Sequence, residues 1–455
     1  MNISQGVKTK IASYYKRLMG QGNVAVLMRG AGSSFTVKIL GIGLGFGVQA
    51  VAARLLGVES YGNYAYVLAW TNILALLGKI GFDTVSVRFV ATYYSQQEWG
   101  LLRGFLRYSS AIILISSTSV AVCLGFGAWL LRENLSRELL HTFWVASVML
   151  PVISTLKIQE SRLQALRRIF QAQFPQAVLR PLIILIGLIT LTLWAENVNS
   201  SSFMSLNLVA TAIALGTISF VWKKTIPGEI KLVKASYKSK EWLRIGQAMI
   251  LIAGFQVVLS QSDVAMIGTF VGTKETALYA VAARIAGLLI FILIGVNSVL
   301  GPLVASLYAQ KSHVELQRIV NLGVNFVFFS TLLIAIVLTL WGKIILNLFG
   351  EEFSSSYPIL VILLLGQLVN AMAGPVGLLL AMTGHHEDAS RILGISAIVN
   401  LILNALLIPN CGALGAAVAT AISTALWNVI MSVLVWQRIK IISVAVPKFI
   451  ISSRI

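Results

Sequence analysis

Ionisable side chains interrupt several long apolar runs of the sequence. Lys38, Arg180 and Arg284 each stand inside such a run, and Asp263 stands inside the run that precedes Arg284. A charged group inside a hydrocarbon layer is costly, so its presence there indicates a function unless a structural partner neutralises it. The cations are suited to contacting an anionic group, and the carboxylate is suited to taking up a proton or a small cation.

Asp263 and Arg284 are predicted to lie at the same depth on neighbouring helices. Asp263 precedes the predicted end of its span by eight residues, and Arg284 follows the predicted start of the next span by eight. At 1.5 Å per residue, both side chains lie about 12 Å below the same surface. They are interpreted either as a structural ion pair or as a switch, in which Arg284 leaves Asp263 for an anion while Asp263 binds H⁺ or Na⁺.

Three further cations each have a functional and a structural interpretation. Lys38, near the start of the first span, either contacts a substrate or extends its ammonium group to the membrane surface. Arg180, in the first half of the fifth span, either faces a cavity or marks the boundary of the span. Arg54, at the outer rim, either meets a substrate late or pairs with Glu59.

Glycine and proline mark positions where the helices are expected to bend. In ILGIGLGFGVQA, glycine occurs at every second position, so Gly41 and Gly45 share one helix face and Gly43 and Gly47 share another, each pair at four-residue spacing. Such spacing permits close packing between helices and also makes a helix easier to bend. Proline inside a span frees a backbone carbonyl and favours a kink. The hinge candidates are Gly41, Gly43, Gly45, Gly47, Pro302 and Pro375.

These residues belong to a chain of predominantly apolar composition. Of its 455 residues, 57% are hydrophobic and 11% are charged, and the mean hydropathy is +0.85. Soluble domains contain about 25% charged residues, and a helix crosses the hydrocarbon core with about 20 apolar residues. We therefore predict an all-α polytopic membrane protein with about 12 transmembrane helices. The predicted spans are 32–53, 61–86, 105–131, 139–158, 174–194, 202–222, 246–271, 276–305, 320–342, 356–382, 391–409 and 412–436.

The distribution of lysine and arginine predicts the orientation of these spans. Most of the 35 Lys and Arg residues fall in alternate connecting segments, which are predicted to be cytoplasmic. Both termini are therefore predicted to be cytoplasmic. Each half then begins and ends on that side, so two six-helix lobes are related by a pseudo-twofold axis along the membrane normal. The predicted segments are a basic N-terminal segment (1–31), an N-lobe (32–222), a basic linker (223–245), a C-lobe (246–436) and a basic tail (437–455).

Two segments 215 residues apart have similar sequences and corresponding positions in the two halves. LLGVESYGNYAYVLAW and FVGTKETALYAVAARI each join two spans through an outer turn that contains glycine. Together with QSDVAMIGTF, VNSVLGPLVASLYAQ and LNALLIPNCGALGAAVATAIS, they resemble the polysaccharide-flippase branch of the multidrug/oligosaccharidyl-lipid/polysaccharide exporter superfamily. The resemblance covers nearly the whole chain.

The resemblance implies movement of a lipid-linked oligosaccharide, typically an undecaprenyl-diphosphate repeat unit. The unit would pass by alternating access from the cytoplasmic to the outer leaflet of the bacterial inner membrane, for O-antigen (lipopolysaccharide), capsule or exopolysaccharide assembly. The implied partners are this substrate, membrane lipids, and polysaccharide polymerase and chain-length proteins. Arg284, Lys38, Arg180 and Arg54 would then contact the diphosphate, and Asp263 would couple transport to H⁺ or Na⁺.

The sequence lacks the motifs of several enzyme classes. It contains no GxxxxGK[ST], GxSxG or HExxH motif, so neither an ATPase motor nor these hydrolases are expected. The two cysteines and the adjacent His385 and His386 give no metal-ligand spacing, and we expect no metal site, no other cofactor and no nucleic-acid partner. An ion-coupled multidrug efflux antiporter is the alternative function. A membrane polymerase or ligase is a third hypothesis, which would require a large outer loop.

Overall fold

The apolar runs form α-helices. No β-strand occurs within residues 22–194 and 198–445, the part of the chain that the computed structural model describes. Side chains are described from residue 37 onward, apart from residues 194, 231, 251 and 252. Residues 1–21 of the predicted basic N-terminal segment and 446–455 of the predicted tail lie outside the described residues. The predicted all-α fold class is confirmed.

Ten apolar helical segments within the described residues are long enough to cross a membrane. The first and the last are too long for one crossing, because about 20 helical residues already span the hydrocarbon layer. Each contains one glycine with non-helical dihedral angles, Gly57 (φ 72°, ψ 175°) and Gly412 (φ 58°, ψ −140°). A break at both glycines gives twelve spans, which we number in chain order. The segments are Val37–Lys79 (spans 1 and 2), Trp99–Leu130, Arg137–Ala165, Ile169–Leu193, Ser200–Thr225, Ser239–Phe270, Thr273–Ala309, His313–Leu340, Glu351–Met382 and His386–Ile439 (spans 11 and 12).

The helices differ from the predicted spans at several ends and interruptions. Span 2 ends at Lys79, and a separate helix, Phe82–Ser95, follows it. The predicted linker 223–245 is shorter than expected, because span 6 continues to Thr225 and span 7 already begins at Ser239. Spans 5, 8 and 10 each consist of more than one helical piece. The pieces are Ile169–Phe174, Pro175–Leu179 and Arg180–Trp194; Thr273–Gly287 and Ile290–Ala309; and Glu351–Ser356, Tyr357–Ala373 and Val376–Met382.

The connections between spans lie on two opposite faces of the bundle. On one face, the Glu275 carboxylate accepts a hydrogen bond from the backbone N–H of Ala413 at 3.3 Å, which joins two interhelical turns. We term this the Gly57 face; it contains the turns at Gly57, Gly272, Gly350 and Gly412. On the other, Arg103 Nη1 donates to the Val233 carbonyl at 2.6 Å. We term this the connector face, after the connection 226–238 between spans 6 and 7.

The two halves of the chain share one large core towards the Gly57 face. That core contains Tyr61 and Tyr64 from the first half together with Tyr279 and Phe353 from the second. Two smaller cores lie towards the connector face and are separate from each other. One contains Phe82, Phe105 and Trp242, and the other contains Val376, Met431 and Val435. The halves are therefore held together mainly at the Gly57 face.

Gly62 provides a test of this shared packing. A side chain at position 62 would collide with the backbone of Thr273 in the other half, and overpacking of this kind costs about 1–3 kcal/mol. Gly62→Val should therefore lower the midpoint of thermal unfolding in detergent. Gly43→Val is the matched control, because a Cβ there has no neighbour within 4 Å. Equal midpoints for the two variants would contradict the close approach.

Candidate functional site

A cavity of about 500 Å³ lies within the bundle, between spans 1, 2, 4, 5, 6 and 8. Three cations line it, and among the described residues no carboxylate does. Arg180 reaches it from span 5, Arg284 from span 8 and Lys157 from span 4. All three side chains are half-buried. Charges in such a partly desolvated setting attract an anion more strongly than they would in bulk water.

The three cations have neutral or incomplete partners. Arg180 Nη2 donates to Asn207 Oδ1 at 3.2 Å, which leaves its charge uncompensated by that contact. Lys157 Nζ lies 3.0 Å from Glu160 Oε2, so its charge is shared with a neighbour one turn away. Arg284 forms no ion pair within the described part of the chain. The cavity therefore carries positive charge that an anionic ligand would neutralise.

A π-helical turn positions Arg180. Span 5 passes through this turn at Pro175–Leu179 and becomes α-helical again at Arg180. Gly41 of span 1 lies directly against it, since a Cβ at Gly41 would be 2.9 Å from Ala177 Cβ. Within the described residues, Gln176 Oε1 and Arg180 Nε are buried without hydrogen-bond partners. π-Helical turns are frequent at functional sites, and this one presents an unused acceptor and donor beside the cavity.

Span 8 is also irregular where it passes the cavity. Its two helical pieces meet at Leu288 and Leu289, one turn beyond Arg284. Hydrogen bonds here return to the third preceding residue, from Leu288 N to the Ile285 carbonyl at 3.1 Å and from Phe291 N to the Leu288 carbonyl at 3.3 Å. This tighter winding is typical of 3₁₀ geometry, which marks local hinges in helices.

Neutral polar groups complete the cavity wall. The side chains of Gln49, Tyr64, Asn72 and Asn207 all line it. The Tyr61 hydroxyl donates to Gln49 Oε1 at 3.0 Å, which fixes the orientation of that amide. Amide and hydroxyl groups can both donate and accept hydrogen bonds. The wall is therefore suited to a ligand that combines negative charge with many hydroxyl groups.

Aromatic contacts separate the cavity from the Gly57 face. The rings of Phe46 and Phe349 meet edge to face with centroids 5.3 Å apart, and those of Tyr61 and Phe353 do so at 5.9 Å. Each pair joins one half of the chain to the other, and Phe46 also lines the cavity. The cavity is thus closed towards the Gly57 face in this conformation.

Asp263 lies in a separate buried site inside the second half. Its carboxylate accepts hydrogen bonds at 2.5 Å from the Tyr279 hydroxyl, the Thr420 hydroxyl and Asn404 Nδ2. The residue is 3% exposed, and it has no cationic partner among the described ion pairs. Neutral donors compensate a buried charge only in part. The site is therefore suited to a proton or a small cation.

Comparison with known proteins assigns the family. Residues 27–308, more than half of the chain, match the family described as "Polysaccharide biosynthesis protein". The chain belongs to this family. Residues 248–406 also match the family described as MatE.

Proteins similar to this family member are distant from it in sequence, and the solved structures among them share its fold. It is 29% identical over 176 residues to the "Probable low-salt glycan biosynthesis flippase Agl15" of Haloferax volcanii, covering 38% of this chain but only 36% of that relative. An inward-facing multidrug resistance MATE transporter of the MOP superfamily is 14% identical, with a TM-score of 0.71 over 89% of this chain and 94% of that chain. The lipid II flippase MurJ in an inward closed conformation is 14% identical, with a TM-score of 0.69 over 90% and 87%.

Two of the four predicted substrate cations of this family member line the cavity. They are Arg180 and Arg284. Lys38 and Arg54 are exposed and do not line it. No ion pair between Arg54 and Glu59 occurs within the described residues. Contact of Lys38 or Arg54 with a substrate stays a prediction, and it would require a different position of the substrate.

Asp263 and Arg284 do not meet as the sequence led us to expect. No ion pair joins them in the described part of the chain, and Asp263 is bonded instead to three neutral donors, one of which is Tyr279. Tyr279 and Arg284 are five residues apart on span 8, so their side chains point about 140° apart around the helix. Span 8 therefore presents Tyr279 to the buried site and Arg284 to the cavity.

The predicted glycine hinges divide by helix face. Gly41 and Gly45 line the cavity, as their shared face predicts. A Cβ at Gly43, Gly45 or Gly47 would meet nothing within 4 Å, so these three do not serve close packing in this conformation. The helix keeps helical dihedral angles through all four glycines. Their function as hinges stays a prediction.

The two predicted proline hinges differ from each other. Pro302 lies inside the continuous helix Ile290–Ala309. Pro375 directly follows Gly374, at an interruption between the helices Tyr357–Ala373 and Val376–Met382. Span 10 therefore has a backbone discontinuity at the position of Pro375.

Lys157 is a cavity residue that the sequence analysis did not identify. The apolar run of span 4 ends near residue 158, which suggests that Lys157 lies at the membrane surface. The helix continues to Ala165, and Leu163 is fully buried in it. Leu163 lies beyond the apolar run and two helical turns after Leu156, and this spacing was the signal that could have placed Lys157 inside the bundle.

Inorganic diphosphate is expected to bind in this cavity and to raise the midpoint of thermal unfolding of the purified protein, as a ligand of the folded state does. The double variant Arg180→Gln, Arg284→Gln should bind diphosphate more than about tenfold more weakly, because charge-assisted hydrogen bonds contribute about 1.5–3 kcal/mol each. Arg107→Gln removes an exposed arginine outside the cavity and should leave the shift unchanged. An undiminished shift in the double variant would mean that diphosphate binds elsewhere.

Proposed function

We propose that this chain is a flippase that moves lipid-linked oligosaccharides across a membrane by alternating access. The observation that carries the proposal is the cavity lined by Arg180, Arg284 and Lys157, with no carboxylate among its described lining residues. Membership of the polysaccharide biosynthesis protein family supports it. So does the similarity to Agl15 of Haloferax volcanii, which is described as a probable flippase.

The cavity chemistry suits the two polar parts of such a substrate. A diphosphate carries negative charge on several oxygens, and arginine binds such groups through two parallel hydrogen bonds. Arg180 and Arg284 are therefore assigned to the diphosphate, with Lys157 as a third cation once it separates from Glu160. The amides of Gln49, Asn72 and Asn207 would meet the sugar hydroxyls. The lipid chain would stay in the hydrocarbon layer outside the cavity.

The carrier that we propose is a polyprenyl diphosphate, and in a bacterial inner membrane this is undecaprenyl diphosphate. The connector face and both termini would be cytoplasmic, in agreement with the lysine and arginine distribution. The unit would be loaded from that face and released at the Gly57 face. It would then enter O-antigen, capsule or exopolysaccharide assembly, where a polymerase and a chain-length protein are the expected partners.

Alternating access would use the packing at the Gly57 face. In the present conformation, the pairs Phe46–Phe349 and Tyr61–Phe353 close that face. Release of the substrate there requires both contacts to separate and the two lobes to rock about the cavity. The glycines at positions 41, 43, 45 and 47, Pro302, and the interruption at Pro375 are the proposed hinges.

Asp263 is proposed to couple this movement to H⁺ or Na⁺. A buried carboxylate without a cationic partner is neutralised most readily by a bound proton or small cation. Binding of that cation would change the hydrogen bonds from Tyr279, Thr420 and Asn404, and span 8 carries one of these donors. The ion gradient would then bias the conformation without ATP.

The second candidate function is ion-coupled multidrug efflux. The match of residues 248–406 to the MatE family and the fold shared with MATE transporters favour it. The cavity argues against it, since a cationic drug would be repelled by Arg180, Arg284 and Lys157. Drug-resistance profiling of a deletion strain distinguishes the two functions, because deletion of an efflux antiporter would make the strain more sensitive to drugs.

Arg284→Ala is expected to block polysaccharide export in a complementation assay while the protein still inserts, since it removes one of the cations assigned to the diphosphate. Arg107→Ala is the matched control and should complement, because Arg107 is exposed outside the cavity and is not assigned to the substrate. Full export by Arg284→Ala would remove this residue from the proposed binding site.

Asp263→Asn is expected to abolish the dependence of transport on the cation gradient, because the amide has a similar shape but carries no charge. The diphosphate-induced shift in thermal unfolding should persist, since Asp263 does not line the cavity. Transport into proteoliposomes with and without imposed H⁺ and Na⁺ gradients measures the first effect. Gradient-dependent transport by the variant would exclude Asp263 as the coupling residue.

A further inference from the structure

Polar residues continue from Asp263 along the interface between spans 11 and 12. Asn404 Nδ2 donates to Asn400 Oδ1 at 3.1 Å, one turn closer to the connector face. Asn400 Nδ2 in turn donates to Ser423 Oγ of span 12 at 3.2 Å. All three side chains are essentially inaccessible to solvent. The hydrogen-bonded chain thus leads away from Asp263 through the interior of the second half.

The geometry of the hairpin formed by spans 11 and 12 adds a further pair of residues to this row of polar side chains. Asn404 and Thr420, which meet at Asp263, each lie eight residues from the turn at Gly412. Ser396 and Asn428 each lie sixteen residues from it, so an antiparallel hairpin places them opposite each other, about 12 Å further along. Both have an exposed fraction of 0%. We use the term polar seam for the polar residues that face each other between spans 11 and 12, which are Asn404, Thr420, Asn400, Ser423, Ser396 and Asn428.

Three polar atoms of the seam lack a hydrogen-bond partner among the described residues. They are Asn404 Oδ1, Ser396 Oγ and Asn428 Oδ1. Buried polar groups are almost always hydrogen-bonded, and buried water usually supplies the partner where the protein does not. Asparagines that served only to join helices would have their oxygens satisfied by each other. The unused oxygens at both ends of the seam therefore indicate water within it.

The seam ends beside the interruption in span 10. Asn428 Nδ2 donates to Asn370 Oδ1 at 3.1 Å, and the carbonyl of Asn370 accepts the backbone N–H of Gly374. Beyond this point, an apolar cluster that includes Val376, Met431 and Val435 fills the interior towards the connector face. Water in the seam is thus separated from the connector face by this apolar cluster, which extends along span 12 from Met431 to Ile439. The interruption at Gly374 and Pro375 adjoins the end of the cluster nearest the seam.

We infer that the polar seam is a hydrated access path through which the coupling cation exchanges between Asp263 and the connector face. The apolar cluster that begins at Val376 and Met431 is its gate, and bending at Gly374 and Pro375 opens the gate. This inference rests on the coupling function proposed for Asp263. It adds a route and a gate to that function, both outside the substrate cavity.

Radiolytic footprinting of the unaltered protein tests for water in the seam. X-rays convert bound water to hydroxyl radicals, which oxidise adjacent side chains. Met431 lies one turn from Asn428 and is 1% exposed, whereas Met149 and Met204 are 0% exposed in the large apolar core. Met431 should be oxidised at least about tenfold faster than these two controls, which react only through local opening. Equal oxidation of all three would mean that the seam is dry.

Silver ion tests whether a monovalent cation enters from the connector face. Ser396→Cys is made in a chain whose exposed cysteines, Cys123 and Cys411, are changed to serine, and the protein is oriented in proteoliposomes. Ag⁺ at the connector face should block later alkylation of this thiol at least about tenfold faster than in Ala397→Cys, a buried neighbour at the same depth. Equal rates in both variants, or reaction from the Gly57 face alone, would overturn the access path.

Neither measurement uses the oligosaccharide substrate, so this inference and the proposed function can fail separately. A dry seam together with normal export would overturn the access path and leave the flippase function standing. A hydrated seam that admits Ag⁺, together with full export by Arg284→Ala, would support the path and contradict the assigned substrate site.

Discussion

The cost of charge inside a membrane governs the arrangement of this protein. Charged groups at membrane depth must face a polar cavity or be satisfied by the surrounding protein. Arg180, Arg284 and Lys157 meet this condition in one cavity with a polar wall, where the anion of the proposed substrate would supply the counter-charge. Asp263 meets it differently, through three short hydrogen bonds in a closed site. The two arrangements keep the cations and the carboxylate apart, although Asp263 and Arg284 lie on consecutive spans.

Backbone irregularity accompanies these charges. A π-helical turn precedes Arg180, and a 3₁₀-like step follows Arg284. Non-helical backbone at membrane depth is tolerated only where protein or a water-filled cavity satisfies it, and both irregularities border the cavity. Each changes the direction of a helix locally, and each lies within one turn of a guanidinium group. The positions where the helices are least regular are thus those where the proposed substrate would be bound.

The twelve spans and the cations at membrane depth were predictable from sequence. A helix that crosses a lipid bilayer must be apolar over about 20 residues, and the few charged residues inside such a run are therefore conspicuous. Arg180 and Arg284 were therefore singled out from the sequence, and both line the cavity. The direction in which each side chain points was harder to predict from the sequence, since it depends on the rotation and packing of each helix. Asp263 illustrates this, because its donors Tyr279, Asn404 and Thr420 come from three spans up to 157 positions away. Lys157 was missed for a simpler reason: its helix continues beyond the apolar run that defined the span.

The separation of Asp263 from Arg284 changes how the proposed coupling must work. Exchange of a direct ion pair is excluded in this conformation, because Asp263 is bonded to Tyr279 and Arg284 faces the cavity. Tyr279 and Arg284 nevertheless belong to the same helical piece of span 8, Thr273–Gly287. The first residue of this piece packs against Gly62 of the other half. A cation bound at Asp263 would alter the hydrogen bond from Tyr279 and shift this piece as a unit, with the step at Leu288 and Leu289 as its flexible end. The piece would then move Arg284 and the contact between the halves together, so the proposed coupling would be transmitted through one rigid helical piece.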